Sequence, residues 1–481
     1  MTAGSGRGIA GLTFAQMRVA LLMIAVAATA CLMPAQSDSY WHLRAGYDLA
    51  RTGHVPLVDT YSHTARGLPW PNHEWLWQAL SFACHRVGGM PLLTAMGAAL
   101  ATAACAVAYD LTRARASVNF LLALVSIPLA SVVWALRPQV PSLLLLVLLL
   151  RLLITGRHLV IPPLFLMWAN LHGAVALGGL VMVVATAVSW FHDRRLFARL
   201  TVLTLLCGLL TAATPMGFGL WRFIGESMAR SRQNQIMEWL PSYPRGPIEI
   251  SFWVATVALV ALAFRRWRRL DTWGDRLVVL TALVMVPLAA RAIRNIAPFC
   301  LVWLPAMSRL IGPDARLPRL PGSRPANDAA PQVAEEHPRA NLALVVAASV
   351  GAVLAVAAAW NQPVDRLGWR PIPREAIARI RACAGPLYNR YNEGGYLIWF
   401  VPEVPVFVDS RQDPYPAALL SADIAVEKTG DYQALFSRYG IRCAALPPAS
   451  PVAKRVVADG WRETYRDETW VVLAAPAAPA R

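Results

Sequence analysis

The sequence Ser37-Asp38-Ser39-Tyr40-Trp41-His42-Leu43-Arg44 opens a polar stretch, residues 36–75, directly after the first apolar segment of the chain. The same stretch closes with Trp70-Pro71-Asn72-His73-Glu74-Trp75. Acidic, histidine and tryptophan side chains are thus concentrated between two hydrophobic segments. Polar groups are costly inside a bilayer, so this pattern is typical of a loop at the membrane face, where charged lipid groups lie. We interpret 36–75 as an external loop that carries a catalytic site.

The composition indicates an integral membrane protein. Hydrophobic residues make up 56% of the 481 residues and charged residues only 15%, and a helix needs roughly 20 apolar residues to cross a bilayer. Apolar runs predict eleven crossings, at 17–33, 91–109, 117–135, 139–155, 159–171, 173–191, 200–215, 249–264, 277–291, 295–312 and 341–360. The net charge of +17 does not indicate a nucleic-acid partner, because the basic residues form short clusters beside these runs. The expected partner is the lipid bilayer.

The arginine distribution predicts how the chain crosses the membrane. With a cytoplasmic N-terminus, the clustered arginines of the short loops all fall on the cytoplasmic side, as the positive-inside rule requires. These are Arg113 and Arg115; Arg157; Arg194, Arg195 and Arg199; Arg265, Arg266, Arg268 and Arg269; and Arg316, Arg319, Arg324 and Arg339. The run 75–88 is short for a crossing, and we interpret it as an interfacial helix. Lys428 and Lys454 are the only lysines among 45 basic residues, a bias typical of GC-rich bacteria, so we expect a bacterial inner-membrane protein.

The chain divides into four regions. Residues 1–312 form the predicted transmembrane domain, 313–340 a cytoplasmic linker rich in Pro, Arg and Ala, 341–360 the last crossing, and 361–481 an external, periplasmic domain. In the last region, helical patterns at 374–382, 416–428 and 452–459 alternate with strand patterns at 404–409 and 441–446 and a hairpin at 462–473. This alternation predicts a small α/β domain.

The cysteines show no metal-binding spacing. Five of the seven lie in or beside apolar segments, where a free thiol behaves as a small hydrophobic group. Cys383 and Cys443 both fall in the predicted external domain, where a disulfide can form. Sequence alone leaves their pairing open, because it does not give their separation in space.

Two motifs of the external loop resemble those of the C-type glycosyltransferase superfamily. In that family an acidic residue shortly after the first span starts a long external loop, as Asp38 does here, and a second polar motif ends the loop, as His73-Glu74 does. The double proline often found in the second motif is absent. Near the C-terminus, Asn389-Arg390-Tyr391 followed by Gly394-Gly395-Tyr396, and Val406-Phe407-Val408-Asp409-Ser410-Arg411, resemble a bacterial membrane branch of this superfamily.

The resemblance implies a mostly α-helical polytopic fold with a C-terminal α/β domain. It also implies an enzyme that moves a hexosyl or pentosyl group from a polyprenyl-phosphate-linked donor to an external glycan, lipid or protein. The motif Tyr391-Asn392-Glu393-Gly394-Gly395-Tyr396 followed by Asp409 is also similar in layout to the Trp-Trp-Asp-Tyr-Gly signature that grips the acceptor peptide in oligosaccharyltransferases. The tryptophans and the aspartate of that signature are absent from 391–396, so a peptide acceptor is not supported.

Asp38 and Glu74 are the predicted catalytic residues. Transfer to a hydroxyl needs a base, and a carboxylate near the membrane can fill that role because burial raises its pKa. Asp38 is the candidate base, and a simple helix N-cap is the alternative. Glu74 orients the acceptor or shares a cation with Asp38, whereas capping of the next helix by His73-Glu74 is its alternative. Two carboxylates favour Mg²⁺ or Mn²⁺ over Zn²⁺, with His42 and His73 as further ligands.

Further polar residues on the predicted external side are candidates for substrate binding. Arginine suits a departing phosphate because its planar fork donates paired hydrogen bonds, although lipid headgroups can also explain such arginines. Trp41 is expected either to stack on a sugar ring or to belong to an interfacial aromatic belt. Asn170 and His172 are expected either to bind sugar hydroxyls or to satisfy backbone groups at a break between two helices. In the predicted external domain, Asp409 and Arg411 either contact the acceptor or lock the domain onto the membrane part by an ion pair. The set is Trp41, His42, Arg44, His73, Arg137, Asn170, His172, Arg291, Arg294, Tyr396, Asp409 and Arg411.

Two other classes of function remain open at the level of sequence. A non-catalytic or transport protein could bind and conduct a polyprenyl or other lipid solute in a cavity lined by these polar residues. Such proteins place their key charges within spans and show repeat symmetry, and this chain has no evident internal repeat. An inactive relative that serves as a scaffold is the third alternative.

Overall fold

A computed structural model of the protein describes residues 11–233, 237–313, 337–361 and 367–476. Most of the predicted linker 313–340, with Arg316, Arg319 and Arg324, lies outside the described residues. The described α-helices are α1 Phe14–Cys31, α2 Ser37–Thr52, α3 Trp75–Asp110, α4 Ala116–Ala130, α5 Gln139–Ile154, α6 Ile161–Leu171, α7 Val175–Trp190, α8 Arg194–Leu210, α9 Gly219–Gln233, α10 Pro247–Arg266, α11 Trp273–Arg291, α12 Ile296–Ile311, α13 Pro338–Asn361, α14 Arg374–Arg381, α15 Gly394–Phe400, α16 Ala417–Thr429, α17 Gln433–Tyr439 and α18 Pro451–Ala458.

The described helices confirm a multi-pass membrane protein. Six of them are long and apolar enough to cross a bilayer: Phe14–Cys31, Trp75–Asp110, Ala116–Val133, Pro247–Arg269, Trp273–Arg291 and Pro338–Asn361. Shorter apolar helices occupy Gln139–Ile154, His158–Leu171 and Val175–Trp190. The predicted number of eleven crossings is not confirmed, because several of the predicted runs form helices of only 11 to 17 residues.

The run 75–88 is helical but is not a separate element. It forms the first part of α3, which has 36 residues and changes direction at Gly88 and Gly89. Gly89 has φ of +63°, a conformation that glycine adopts at no steric cost, and Pro91 removes one backbone donor just beyond the bend. The external loop therefore leads through this bend into a membrane helix.

The C-terminal domain is built on a four-stranded sheet in the order β1-β2-β4-β3. Its strands are β1 Leu387–Tyr388, β2 Cys443–Leu446, β3 Arg462–Arg466 and β4 Val471–Ala474. β1 pairs in parallel with β2, and the other pairs are antiparallel. The predicted strand at 441–446 and the hairpin at 462–473 thus correspond to β2, β3 and β4. A disulfide joins Cys383 to Cys443, which resolves the pairing that the sequence leaves open.

The predicted strand at 404–409 is not part of this sheet. Val406 instead forms an isolated parallel bridge with Ser62 of the external loop. The backbone N–H of Val406 donates to the carbonyl of Tyr61 at 3.0 Å, and the N–H of His63 donates to the carbonyl of Val406 at 3.0 Å. The backbone of the extended run therefore forms its hydrogen bonds with the loop, and these bonds join the C-terminal domain to residues 36–75.

A second contact joins the C-terminal domain to α2. Helix α15 packs against α2, and the N–H of Gly395 donates to Oγ of Ser37 at 3.0 Å. A Cβ atom at Gly395 would lie 2.2 Å from the carbonyl oxygen of Ser37, so only glycine permits this approach. The approach sets the position of the first turn of α2, which contains Asp38.

Candidate active site

A cavity of about 1210 Å³ lies between the membrane helices, the external loop and the C-terminal domain. Its volume exceeds the usual range of small-molecule sites, about 300–1,000 Å³. The charged and histidine side chains among its lining residues are Asp38, His42, His73, Glu74, Arg137, His172, Glu238, Glu249, Arg294, Arg390, Arg411, Asp413, Asp423, Glu427 and Lys428. Residues separated by almost 400 positions in sequence therefore share one space.

Asp38 enters the cavity from the first turn of α2 and is paired with an arginine. Gln36 occupies the N-cap position of this helix, so Asp38 is not the cap. Nε of Arg137 donates to Oδ2 of Asp38 at 2.6 Å, and Nη2 of the same guanidinium contacts the same oxygen. Oδ1 accepts a longer hydrogen bond, 3.3 Å, from Nε1 of Trp41. One carboxylate oxygen is thus held by a cation, whereas the other is only weakly engaged.

The ion pair continues through Glu238 to Arg294. Nη1 of Arg137 donates to Oε2 of Glu238 at 2.9 Å, and Nη1 of Arg294 donates to Oε1 of Glu238 at 3.1 Å. The guanidinium of Arg294 also lies 4.5 Å from the ring centre of Trp239, within the range of a cation–π contact. Two carboxylates and two arginines therefore alternate along the wall of the cavity.

Glu74 is surrounded by three histidines. Its carboxylate oxygens lie 3.7 Å from Nε2 of His42, 3.5 Å from Nε2 of His73 and 3.7 Å from Nε2 of His172. Glu74 is the N-cap residue of α3, but its side chain makes no capping hydrogen bond. The side chain is therefore directed to the histidines rather than to the helix, which favours the functional interpretation over the capping alternative.

The surroundings of Glu74 favour its protonated form. Burial, and then the negative charge of Asp38, raise the pKa of Glu74 to about 8. Nδ1 of His73 lies 3.2 Å from the carbonyl oxygen of Pro71, which can only accept, so a neutral His73 turns the lone pair of Nε2 towards Glu74. Burial lowers the pKa of His42 and of His172, helped by nearby arginines. The group is thus a cluster of mainly uncharged titratable side chains.

Two side-chain contacts fix the position of the His73-Glu74 segment. Asn72 and Gln78 exchange two amide hydrogen bonds of 2.9 and 2.7 Å, and both side chains are buried. Nε1 of Trp75 donates to Oδ1 of Asn170 at 2.7 Å. Asn170 also donates to two backbone carbonyls. These contacts favour the predicted alternative in which Asn170 makes helix-break hydrogen bonds at the end of α6, and Asn170 does not line the cavity.

Solved structures with the same architecture identify the fold. ArnT from Cupriavidus metallidurans in the apo state is 14% identical, with a TM-score of 0.53, 95% of this chain covered and 98% of that one. The oligosaccharyltransferase AglB from Archaeoglobus fulgidus, in complex with an inhibitory peptide and a dolichol-phosphate, is 10% identical, with a TM-score of 0.51 and coverages of 96% and 75%. Both are C-type glycosyltransferases.

The chain has the C-type glycosyltransferase fold. A scan against family models found no match, and a search of curated proteins found no relative. At identities of 10–14% the structural likeness shows the fold, and arguments about chemistry have to come from the site itself.

Within this C-type glycosyltransferase fold, most of the predicted site residues lie together. Trp41, His42, His73, Arg137, His172, Arg294, Tyr396 and Arg411 line the cavity with Asp38 and Glu74. Trp41 is only 6% exposed and packs against His42 and Trp70, so most of its ring is already covered.

Two of the predicted phosphate-binding arginines are not in the cavity. Nε of Arg44 donates to Asp48 at 3.0 Å, and its guanidinium lies over the rings of Tyr47 and Tyr61. Arg291 is an exposed residue at the end of α11. Neither Arg44 nor Arg291 lines the cavity: a local ion pair engages the first, and the second is exposed.

Asp409 and Arg411 form a buried clasp between the C-terminal domain and the external loop. Nη2 of Arg411 contacts Oδ2 of Asp409 at 2.7 Å and Oδ1 of Asp59 at 2.5 Å, and all three side chains are 0% exposed. The guanidinium also lies 4.7 Å from the ring centres of both Tyr61 and Trp70. These contacts favour the predicted alternative in which Asp409 and Arg411 lock the domain, and Asp409 does not line the cavity.

A Mg²⁺ or Mn²⁺ ion between Asp38 and Glu74 does not fit this donor set. Oδ2 of Asp38 is occupied by Arg137, and the ion-pair partners of Glu74 are imidazole nitrogens, whereas hard divalent cations prefer oxygen ligands. Across the described ranges, no group of three or more His, Cys, Asp and Glu side chains is arranged to hold a metal ion. We derive no step through a metal ion, and activity after exhaustive EDTA treatment is the measurement that decides metal dependence.

The sequence predicts that the Glu238 segment shares an external cavity with the other polar motifs, but it does not predict a role for Glu238 itself. Its segment Glu238-Trp239-Leu240-Pro241 is polar at a membrane face, but the sequence contains no signal that its carboxylate meets Arg137 and Arg294. The outer-domain residues Arg390, Asp423 and Glu427 were also missed, because they come from separate elements of the C-terminal domain.

Proposed function

We propose that this protein is a membrane glycosyltransferase that transfers one sugar from a polyprenyl-phosphate-linked donor to an extracytoplasmic acceptor. The observation that carries the proposal is the convergence of Asp38, Glu74, Arg137 and Arg294 on one large cavity in a chain with the C-type glycosyltransferase fold. A polyprenyl donor is supported by the Archaeoglobus fulgidus enzyme, whose structure contains a dolichol-phosphate.

The proposed reaction needs one proton acceptor and one anion site. The acceptor hydroxyl oxygen forms a bond to the anomeric carbon, the bond from that carbon to the phosphate oxygen breaks, and its electron pair leaves with the phosphate. Asp38 takes the hydroxyl proton through Oδ1, while Arg137 holds the other oxygen. Arg137 and Arg294 are the cations for the departing phosphate.

Glu74 has a different role from Asp38 in this proposal. Because its pKa is raised to about 8, it carries a proton near neutral pH and can donate a hydrogen bond to an oxygen of the acceptor or the sugar. Asp38 acts as the base and Glu74 as its orienting partner.

We place the cavity on the external, periplasmic side of a bacterial inner membrane, with the N-terminus in the cytoplasm. The positive-inside pattern of the arginines supports this orientation. The Cys383–Cys443 disulfide supports it independently, since such bonds persist in oxidising compartments.

The experiment that tests the function is complementation of a deletion strain, read out by profiling of its envelope lipids and glycans. The wild-type gene restores a glycosylated product that the deletion lacks, and Asp38→Asn does not restore it although the protein reaches the membrane at normal level. Asp110→Asn is the matched control, because Asp110 is an exposed residue whose partner is Arg151 and it lies outside the cavity. Restoration by Asp38→Asn would reject Asp38 as the base, and an unchanged profile in the deletion strain would count against a transferase.

A further inference from the structure

Glu238 lies between two arginines of the cavity. Its two carboxylate oxygens each accept a hydrogen bond from a different arginine, from Arg137 at 2.9 Å and from Arg294 at 3.1 Å. Arginines that converge on one oxyanion from two sides are a common arrangement for binding phosphate. Here the oxyanion in that arrangement belongs to the protein itself.

The charge balance prevents a phosphate from simply adding to this cluster. Asp38 and Glu238 carry two negative charges, and Arg137 and Arg294 carry two positive charges, so the four groups sum to zero. Burial keeps the pKa of His42 and of His172 low, so these rings add no positive charge at neutral pH. A phosphate gains two available guanidinium groups only if one of the carboxylates moves away.

Glu238 is the more exposed of the two carboxylates and lies in the shorter element. Asp38 lies on α2, receives two contacts from Arg137 and one from Trp41, and its side chain is 13% exposed. Glu238 lies in a single turn, Met237–Trp239, and its side chain is 29% exposed. A rotation of this side chain needs no movement of a long helix. The neighbouring Leu240 stays held, because its carbonyl accepts a hydrogen bond of 3.1 Å from the N–H of Ile293 in the turn that follows α11.

Both arginines have a second anchor that remains when Glu238 moves. Arg137 keeps the contacts of Nε and Nη2 with Asp38. Arg294 keeps its cation–π contact with Trp239 at 4.5 Å. The two guanidinium groups therefore stay in place, each with a free N–H group where the Glu238 carboxylate was.

We propose that Glu238 is a place-holding carboxylate, which occupies the phosphate position between Arg137 and Arg294 and rotates away when the phosphate of the donor binds. This inference rests on the proposed function for the identity of the phosphate as part of a polyprenyl-linked donor. It predicts that Glu238 competes with the donor for the two arginines. The empty site thus keeps its arginines paired, and the competition lowers affinity for weakly bound anions.

Direct binding to the purified full-length protein in detergent tests the proposal. The probes are farnesyl phosphate, a short polyprenyl monophosphate, and inorganic pyrophosphate, each titrated by calorimetry. Glu238→Gln removes the competing charge and keeps the size of the side chain, and its Kd for farnesyl phosphate is expected to fall by about tenfold, equivalent to about 1.4 kcal/mol. Arg294→Gln is expected to weaken binding.

Glu249→Gln is the matched control, because Glu249 lines the same cavity and makes no ion pair with either arginine. Its Kd is expected to stay within about twofold of the wild-type value if the effect of Glu238 is specific. An equal tightening in Glu249→Gln would overturn the proposal, since it would show a general effect of cavity charge.

The two probes separate this inference from the proposed function. Unchanged or weaker binding of farnesyl phosphate by Glu238→Gln would reject the place-holding role and leave the donor class intact, because Glu238 would then be a support for the arginines. Tighter binding of pyrophosphate by Glu238→Gln, with no binding of farnesyl phosphate to either protein, would retain the place-holding role and reject the polyprenyl donor. No binding of either probe to Glu238→Gln would reject the place-holding role.

Discussion

Arg137 holds Asp38 with two N–H groups on a single carboxylate oxygen and leaves the second oxygen almost free. This pairing joins the segment just before α5 to the first turn of α2 across 99 residues of sequence. Since the arginine both stabilises the carboxylate and faces the phosphate in the proposed reaction, its loss should affect activity more than protein level.

Arg137→Gln is therefore expected to lower the rate of sugar transfer by about 100-fold or more, the size of effect seen when one preorganised donor is removed from an active site. Arg137→Lys keeps the charge but not the forked geometry, and should recover only part of the rate. Product formation in isolated membranes is the measurement. Arg291→Gln is the control, because Arg291 is exposed and lies outside the cavity. Wild-type transfer by Arg137→Gln would remove Arg137 from the site.

The raised pKa of Glu74 predicts a pH dependence of stability. The pKa is about 8 in the folded protein against an ordinary value of 4.5, so between these values the folded state binds more protons than the unfolded state. The free energy of unfolding then falls as the pH rises, and the contribution of Glu74 is fully present below about pH 4.5 and lost as the pH passes about 8.

Glu74→Gln introduces a neutral side chain of the same size, so it should remove the part of the fall in stability with rising pH that comes from Glu74. Thermal unfolding of the full chain in detergent at several pH values from 5 to 9 gives the measurement, and each pKa unit corresponds to about 1.4 kcal/mol. Glu403→Gln is the control, since Glu403 has a half-exposed side chain. Parallel pH curves for the wild type and Glu74→Gln would contradict the assignment.

Gly395 is expected to be needed for the position of Asp38. A Cβ atom at this position would meet the carbonyl oxygen of Ser37 at 2.2 Å, so Gly395→Ala has to push α15 and α2 apart. A displacement of about 1 Å at a catalytic group costs roughly 100-fold in rate. Gly208→Ala, whose Cβ has nothing within 4 Å, should retain full transfer and normal stability. Normal transfer by Gly395→Ala would show that the two helices yield without consequence.

The clasp of Arg411 with Asp59 and Asp409 is expected to hold the C-terminal domain against the external loop. Arg411→Ala leaves two buried carboxylates without their cation, which costs about 3–5 kcal/mol. We expect the Arg411→Ala protein to unfold at a lower temperature than the wild type and to be cleaved faster by proteases within residues 53–74. Arg381→Ala breaks an exposed pair with Glu403 and should cost about 1 kcal/mol or less. Equal effects of the two substitutions would refute the clasp.

Patterns that are local in sequence predicted much of the protein correctly. The apolar runs predicted a multi-pass membrane protein, because the length of a spanning helix follows directly from bilayer thickness. The alternation after residue 361 predicted β2 and the terminal hairpin, since a period of two determines which side chains face the core. The motifs around Asp38 and His73-Glu74 placed both segments beside one cavity, because they flank the same external loop.

Contacts between distant segments required the tertiary structure. The run Val406-Phe407-Val408 has the pattern of a sheet strand, but its backbone pairs with Tyr61 and His63 instead. Arg44 and Arg137 are both candidates for phosphate binding in the sequence, and only the folded chain shows that Arg44 pairs with Asp48 and Arg137 with Asp38. Glu238 became a site residue because Arg137 and Arg294 both reach it. Residue types and the periodicity of hydrophobic residues determine which secondary structure and which chemistry each segment can support. Which charged side chains pair with each other depends on the packing of segments that are hundreds of residues apart in sequence.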